Sequence, residues 1–390
     1  MERRTPLFDF HARTANKMVK GGGDFMFPFE YTSNHEEHVN TRTQVGMQDL
    51  STMGEVDVKG PDAERLINQL MVNEVGDLVP GQVRYSTMCN GNGGIIDDVT
   101  IYKLNSQHFM VVTSSGPRKK TAKWISEKAQ ELRAYVTDVT GAIALPVIQG
   151  PRSREFLASV VSGLDLSGLK YFRFGFGLIN ETEVLISRSG YTGELGYELY
   201  VPAEEAAVLW EYLLNAGSAF RLKPYGVLTM NTLRIEKAYP LYGNDINENY
   251  TPFHAGLDRW IRFEKKDFVG RDALLKLREQ RVDRRWTGLV MEGEEPASVN
   301  GKVFAGAQGG SAGGAVSVGV KETTAAGEEI GQVTCSNRGH SVGKTLAMAY
   351  VDCAHAEPGR HVLVQGSKGI VPAVVARTPF FDPDGARLRG

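Results

Sequence analysis

The chain has few cysteines, and they are poorly placed for pairing. Cys89, Cys335 and Cys353 are odd in number and far apart among 390 residues. They also lack the CxxC spacing of zinc and redox sites, so neither a disulfide framework nor a cysteine-based metal site is predicted. This cysteine usage fits a reducing compartment, and a cytoplasmic protein is expected.

The chain also lacks long apolar runs and an excess of charge of either sign. No window is long and apolar enough to span a bilayer, and the first residues contain no apolar core typical of a signal peptide. The 44 basic and 46 acidic residues give a net charge of -2 and form no long blocks. A surface for nucleic acid or for a membrane is therefore not expected, and small-molecule partners are favoured.

What is present is ordinary globular composition, with 42% hydrophobic and 23% charged residues in a chain long enough for about two or three domains. Hydrophobic periodicity predicts strands at 55–59 and 109–113 and helices at 62–71 and 119–131, which is an α+β pattern. Past Arg285 the sequence changes to short strands separated by glycines. The glycine-rich stretch 305–314 is predicted to be a flexible loop.

Two consecutive carboxylates, Asp97 and Asp98, follow a glycine turn and enter an otherwise β-branched, apolar strand. Strands disfavour such residues, and local conflicts of this kind mark functional or strained sites. Successive strand side chains point to opposite faces, so only one of the two can face a given cleft. The pattern does not choose between them, and both could instead bind turn amides at the mouth of the strand.

Two other segments carry weaker signals. His35 and His38 are spaced to share a helix face, but no third metal ligand is placed nearby, so a solvated helix start is predicted and no metal site. The loop 113–117, which includes Thr113 and Ser114, is equally consistent with ligand contact and with simple capping.

Ordered motifs cover nearly the whole chain, at 5–8, 46–55, 59–63, 85–90, 93–98, 190–194, 241–245 and 267–271. Together they resemble the aminomethyltransferase (T-protein) family of the glycine cleavage system and its tetrahydrofolate-dependent relatives. The resemblance implies an α+β, three-domain cloverleaf around a channel that holds tetrahydrofolate. Its parts would be a discontinuous folate-binding domain (1–52 and 140–284), a ferredoxin-like domain (53–139) and a C-terminal β-barrel (285–390).

The resemblance also implies which residues meet the folate. Asp98 would lie near the reactive nitrogen and handle its proton, which leaves Asp97 as a structural residue. Glu198 would accept paired hydrogen bonds from the 2-amino-pyrimidine edge of the pterin. The remaining positions expected around the pterin are Tyr85, Tyr197, Tyr242 and the segment at Thr113 and Ser114.

The departures from the family pattern suggest a different donor. Thr52 replaces a histidine, Met230 an arginine, and His254 a glutamate of the glycine-cleavage enzymes. Loss of that negative charge favours an anionic substrate, and His254 could protonate a departing phenolic oxygen. The leading prediction is thus a tetrahydrofolate-dependent demethylase of a small methoxy compound, such as an aromatic acid, yielding 5-methyltetrahydrofolate. Alternatively, His254 only satisfies a backbone carbonyl under a helix start.

Three other functions remain open on this resemblance. An aminomethyltransferase would need a lipoyl carrier protein and would release ammonia and 5,10-methylenetetrahydrofolate. A stand-alone version of the folate domain of dimethylglycine or sarcosine dehydrogenases is a related alternative. A non-enzymatic folate-binding protein of iron–sulfur maintenance is disfavoured, because that branch carries a cysteine where this chain has Gly190.

Overall fold

The computed structural model describes residues 3–306 and 327–390, so most of the glycine-rich stretch 305–314 lies outside the described residues. The helices of the described part, in chain order, are α1 (Phe8–Thr14), α2 (Asn34–Thr43), α3 (Ala63–Leu70), α4 (Arg118–Lys128), α5 (Ser153–Ala158), α6 (Ala206–Ala216), α7 (Val227–Glu236), α8 (Arg271–Gln280) and α9 (Ala386–Arg389). The strands are β1 (Arg3–Arg4), β2 (Lys17–Gly21), β3 (Phe25–Glu30), β4 (Val45–Asp49), β5 (Gly54–Lys59), β6 (Gln82–Cys89), β7 (Ile95–Asn105), β8 (His108–Thr113), β9 (Tyr135–Asp138), β10 (Ile143–Ala144), β11 (Pro146–Gln149), β12 (Val161–Ser162), β13 (Phe174–Ile179), β14 (Thr182–Ser187), β15 (Gly196–Pro202), β16 (Leu222–Pro224), β17 (Arg284–Met291), β18 (Lys302–Ala305), β19 (Glu329–Gly339), β20 (Lys344–Asp352), β21 (His361–Gln365) and β22 (Ile370–Ala376).

A five-stranded antiparallel sheet, ordered β6-β7-β8-β5-β9, carries the Asp97–Asp98 strand near one edge. Helices α3 and α4 cover one face. The helix α3 forms because Ala63, Leu66, Ile67 and Leu70 recur at the spacing of one helical face, and all four are buried against the sheet. The opposite face of the sheet is left free to pack on another layer.

That other layer is an eight-stranded sheet ordered β12-β13-β14-β15-β11-β4-β16, with β10 paired to β15. One face of it forms the core that buries Trp210 of α6. The opposite face packs on the five-stranded sheet through an apolar cluster that includes Val112 and Met110 from one sheet and Val147, Leu145 and Tyr200 from the other. The two sheets therefore meet face to face, and we call the partly exposed space at this contact the intersheet cleft.

The C-terminal part is a closed barrel in the order β17-β20-β19-β18-β21-β22. Closure pairs the first strand with the last, β17 with β22, so this barrel leaves no free strand edge. The predicted α+β class and the C-terminal β-barrel are confirmed. No helix in residues 3–306 and 327–390 has the length and apolarity needed to cross a bilayer.

Candidate active site

Asp97 and Asp98 point to opposite faces of the five-stranded sheet. Asp97 faces the helices, where it is fully buried and accepts a 2.7 Å hydrogen bond from the hydroxyl of Thr121 on α4. Asp98 faces the intersheet cleft and is partly exposed. Its Oδ2 accepts a 3.1 Å hydrogen bond from the Tyr85 hydroxyl, and its Oδ1 accepts one of 3.1 Å from the Ser114 hydroxyl. The packing of the sheet therefore places Asp98, and not Asp97, in the cleft.

The two carboxylates also differ in their chemistry. Burial raises the pKa of Asp98 to about 6, although the hydrogen bonds from Tyr85 and Ser114 lower it in part. Burial and the adjacent Asp98 charge raise the pKa of Asp97 well above its ordinary value. A carboxyl group with a pKa near 6 exchanges protons close to neutral pH, which suits a group that takes and returns a proton.

Glu198 lies across the cleft on β15, and two tyrosines hold it. The hydroxyls of Tyr102 and Tyr200 are 2.9 and 3.0 Å from its Oε2 and 2.9 Å from each other. Burial raises the pKa of Glu198, and the hydroxyl groups counter that effect. The side chain is partly exposed, so the carboxylate is oriented by the protein and still accessible from the cleft.

Tyr102 and Tyr200 were not identified from the sequence. Tyr102 could have been found, because strand alternation puts it on the same face of β7 as Asp98. Tyr200 shares the face of β15 with Glu198 by the same alternation. What the local pattern does not contain is the pairing between the sheets, because Tyr102 and Glu198 are 96 residues apart.

Only some of the other predicted site residues lie beside Asp98 or Glu198. Tyr197 is not brought together with Glu198, since it points into the opposite core and its hydroxyl is 3.3 Å from Nε of Arg154. Thr113 is fully buried, while the next residue, Ser114, reaches Asp98. Tyr242 belongs to the same apolar cluster as Tyr85.

His254 does not contact Asp98 or its hydrogen-bond partners in the described structure. Its Nδ1 accepts a 3.1 Å hydrogen bond from the Thr251 amide and lies 2.7 Å from the Thr251 hydroxyl. Burial lowers the pKa of His254, and its Nε2 is 3.7 Å from Asp283. A neutral imidazole that accepts a hydrogen bond from a backbone amide acts as a local cap. The alternative from the sequence expected a local role with a backbone carbonyl, whereas the backbone partner is the Thr251 amide.

The departure at Met230 and the predicted position of His38 also have local explanations. Met230 packs in a small apolar cluster with Tyr225 and Leu233. The prediction of a solvated position is wrong for His38, which is buried. Its Nδ1 is 2.9 Å from the Thr232 hydroxyl and its Nε2 is 2.9 Å from the Ser341 hydroxyl. The predicted solvated start holds for His35, which is exposed on the first turn of α2.

Comparisons with known proteins agree over almost the entire chain. Residues 7–265 match the family model described as the GCVT N-terminal domain, and residues 284–382 match that of the glycine cleavage T-protein C-terminal barrel domain. The chain is 40% identical to an aminomethyltransferase of Streptomyces coelicolor, covering 97% of both chains. It is 35% identical to an aminomethyltransferase of Halothermothrix orenii, covering 97% of this chain and all of the relative.

The fold comparison leads to the same group. The crystal structure of the glycine cleavage system aminomethyltransferase T from Bartonella henselae superposes with a TM-score of 0.86 at 27% identity, over 98% of this chain and 99% of the other. The predicted three-domain fold is thereby confirmed.

The prediction of a demethylase is wrong, because relatives that match nearly the full length at 33% to 40% identity are named aminomethyltransferases. The prediction inferred the substrate from His254 and Met230. In the fold, His254 caps the Thr251 amide and Met230 packs in an apolar cluster. The matches to both domain models and to full-length relatives show that the chain belongs to the glycine cleavage T-protein family.

Proposed function

We propose that the protein is an aminomethyltransferase, which transfers a one-carbon unit from an aminomethyl group on a lipoyl carrier protein to tetrahydrofolate. The observation that carries the proposal is the 40% identity over 97% of both chains to a protein named for this activity. The bond between the lipoyl sulfur and the aminomethyl carbon would break, so that the products are 5,10-methylenetetrahydrofolate, ammonia and the carrier protein with its lipoyl arm as the free dithiol. The small anionic methyl donor expected from His254 is not part of this function.

Tetrahydrofolate is the cofactor of this family, and the intersheet cleft has the chemistry to hold it. A flat heterocycle needs apolar walls and a few oriented polar groups. Leu50 and Met53, which are partly exposed at the edge of the apolar cluster between the sheets, supply apolar surface. The Glu198 carboxylate, oriented by two tyrosine hydroxyls, supplies acceptors for amino and ring N–H groups. Asp98 supplies a second, separate carboxylate on the opposite wall.

The reaction requires proton movement, because tetrahydrofolate supplies amine nitrogens that become fully substituted when they accept the carbon. We assign that movement to Asp98, whose pKa of about 6 allows it to be ionised at neutral pH and still accept a proton. Tyr85 and Ser114 each donate to one of its oxygens and so hold the plane of the carboxylate.

Loss of Asp98 would then affect chemistry more than binding, whereas loss of Glu198 would affect binding first. Glu198 and its two tyrosines form a preorganised acceptor, and removal of the acceptor leaves ligand N–H groups without partners. The two carboxylates therefore have separable roles: Glu198 binds and Asp98 handles the proton.

The direct test is to incubate the protein with tetrahydrofolate and an aminomethyl-loaded lipoyl carrier protein, and to measure ammonia and the folate product. We expect both to form in equal amounts and only when carrier and folate are both present. A carrier protein without the aminomethyl group is the matched control. Absence of turnover with the loaded carrier, in a preparation that binds tetrahydrofolate, would refute the proposal.

A further inference from the structure

Two histidines that are 305 positions apart in the chain face each other through the same ring nitrogen. His35 lies on the first turn of α2, and His340 lies in the turn that joins β19 to β20. Their Nδ1 atoms are 3.3 Å apart, and their ring centroids are 5.1 Å apart. His35 is exposed and His340 is half-buried, so the pair lies at the surface, where a small ion can reach it.

The tautomer of His340 follows from the side chain beside it. The amide group of Asn34 donates from Nδ2 to the hydroxyls of Thr229 and Thr232, at 3.1 and 3.3 Å. Because the Thr229 hydroxyl gives its own proton to Glu37, its oxygen can only accept from Asn34, which fixes the orientation of the amide. The Oδ1 of Asn34 therefore faces Nε2 of His340, at 2.5 Å, and this Nε2 must carry the proton.

A neutral imidazole with its proton on Nε2 has a free lone pair on Nδ1. Burial lowers the pKa of His340 to about 4, so its ring is neutral near neutral pH. The contact with His35 is long for a hydrogen bond, because 3.3 Å lies beyond the about 2.7–3.2 Å that is usual for N–H···O bonds. The Nδ1 lone pair of His340 is thus directed at a second ring nitrogen, an arrangement that suits a cation between the two.

The distance between the two nitrogens matches that between two ligands of one metal ion. Zinc binds histidine nitrogens at about 2.0–2.1 Å in tetrahedral geometry, which places two such nitrogens about 3.3–3.4 Å apart. The hydrogen bond from Nε2 of His340 to Asn34 is the outer contact typical of metal-bound histidines, because it orients the ring and fixes the tautomer. Imidazole nitrogen suits zinc, copper and nickel, whereas magnesium and calcium take oxygen ligands.

We propose that His35 and His340 bind one divalent transition-metal ion, each through Nδ1, and that the ion links α2 to the C-terminal barrel. Among the described residues no set of three histidine, cysteine, aspartate or glutamate side chains is arranged to hold a metal ion, so water would complete the coordination. His38, which is spaced to share a helix face with His35, does not take part, because both of its ring nitrogens have hydroxyl partners.

The test titrates the chelator-treated, full-length protein with Zn²⁺ and measures binding by calorimetry. We expect one zinc ion per chain, and a melting temperature that rises with zinc concentration, because the unfolded chain does not hold the two histidines together. His35→Ala and His340→Ala each remove one ligand. Each should weaken zinc binding by about tenfold or more, since loss of an outer contact alone costs that much, and should remove the rise in melting temperature.

His361→Ala is the matched control, because His361 is an exposed histidine on β21 of the same barrel. This variant should bind zinc as the wild type does. Magnesium is the control ion and should not bind to the pair, since it prefers oxygen ligands. His35 is exposed, so His35→Ala should fold normally; if His340→Ala is not folded, His35→Ala decides the comparison.

Loss of zinc binding in the His35 variant, with binding retained in His361→Ala, would support the site. Zinc binding of wild-type strength in folded His35→Ala would overturn it, and so would a wild-type Kd weaker than about 1 mM. Either result would leave the aminomethyltransferase proposal intact, because that reaction does not require this ion. A protein that binds zinc at this pair but has no turnover with a loaded carrier would overturn the proposed function alone.

Discussion

Asp97 and Asp98 are adjacent in the chain, yet their carboxylates lie on opposite sides of one sheet, Asp97 bonded to Thr121 of α4 and Asp98 bonded to Tyr85 and Ser114. Helix packing on one face and sheet packing on the other give the two groups different environments. Their substitutions should therefore have different effects.

Asp98→Asn should lower kcat by about 10² to 10⁴, because the amide cannot accept the proton that the carboxylate takes. The side chain keeps its shape and can still bond to Tyr85, so the melting temperature should change little. Steady-state assays with a loaded carrier protein, alongside thermal unfolding, check this. Full activity in Asp98→Asn would remove the proton-handling role.

The activity of the wild-type protein should rise as pH increases through about 6. Below that pH Asp98 is protonated and cannot act as a base, and above it the carboxylate is available. A profile of kcat against pH measures the inflection. The residual activity of Asp98→Asn should lack it, and an unchanged inflection in that variant would assign the titration to another group.

Asp97→Ala should reduce stability rather than chemistry. It leaves the buried Thr121 hydroxyl without its acceptor, which costs about 1–3 kcal/mol. Urea unfolding measures the loss, and Asp97→Asn, which keeps an acceptor oxygen, serves as the milder comparison. A large loss of kcat in folded Asp97→Asn with stability retained would contradict this division of roles.

Glu236→Gln should destabilise the protein at neutral pH by about 3 kcal/mol. Burial alone would raise the pKa of Glu236, but His38, Arg42 and Ser341 outweigh it and lower the pKa to about 2. Arg42 is 2.8 Å away, and the Ser341 amide donates at 2.7 Å. A lowered pKa stabilises the fold above the ordinary value of 4.5, and that contribution is lost as pH falls toward 2.

The difference in unfolding free energy between wild type and Glu236→Gln should accordingly narrow below about pH 4.5. Denaturant unfolding at several pH values measures it. Glu155→Gln, at an exposed pair with Arg152, is the control and should have a much smaller effect. A pH-independent difference would mean that the charge of Glu236 is not the cause.

His254→Ala should retain most of the activity and lose about 1 kcal/mol of stability, since it removes the acceptor of the Thr251 amide. Turnover and thermal unfolding of the same preparation check both. A loss of kcat comparable to that of Asp98→Asn would restore a catalytic role for this histidine.

The sequence by itself determined the local elements and the family. The predicted helices 62–71 and 119–131 correspond to Ala63–Leu70 and Arg118–Lys128, because hydrophobic periodicity is a property of neighbouring residues. The same local rule put Asp97 and Asp98 on opposite faces of a strand. The domain boundaries and the folate contacts stay predictions.

Local alternation does not say which face of that strand is the cleft; the family resemblance assigned that face to Asp98, and the packing of the sheets is its physical cause. Only the tertiary structure decided which groups meet there. Tyr102 reaches Glu198 across 96 positions of sequence, and Thr121 reaches Asp97 across 24, so neither pairing is present in a local pattern. Alternation along a strand is short-range, whereas hydrogen-bond satisfaction and burial depend on the surfaces that folding brings together.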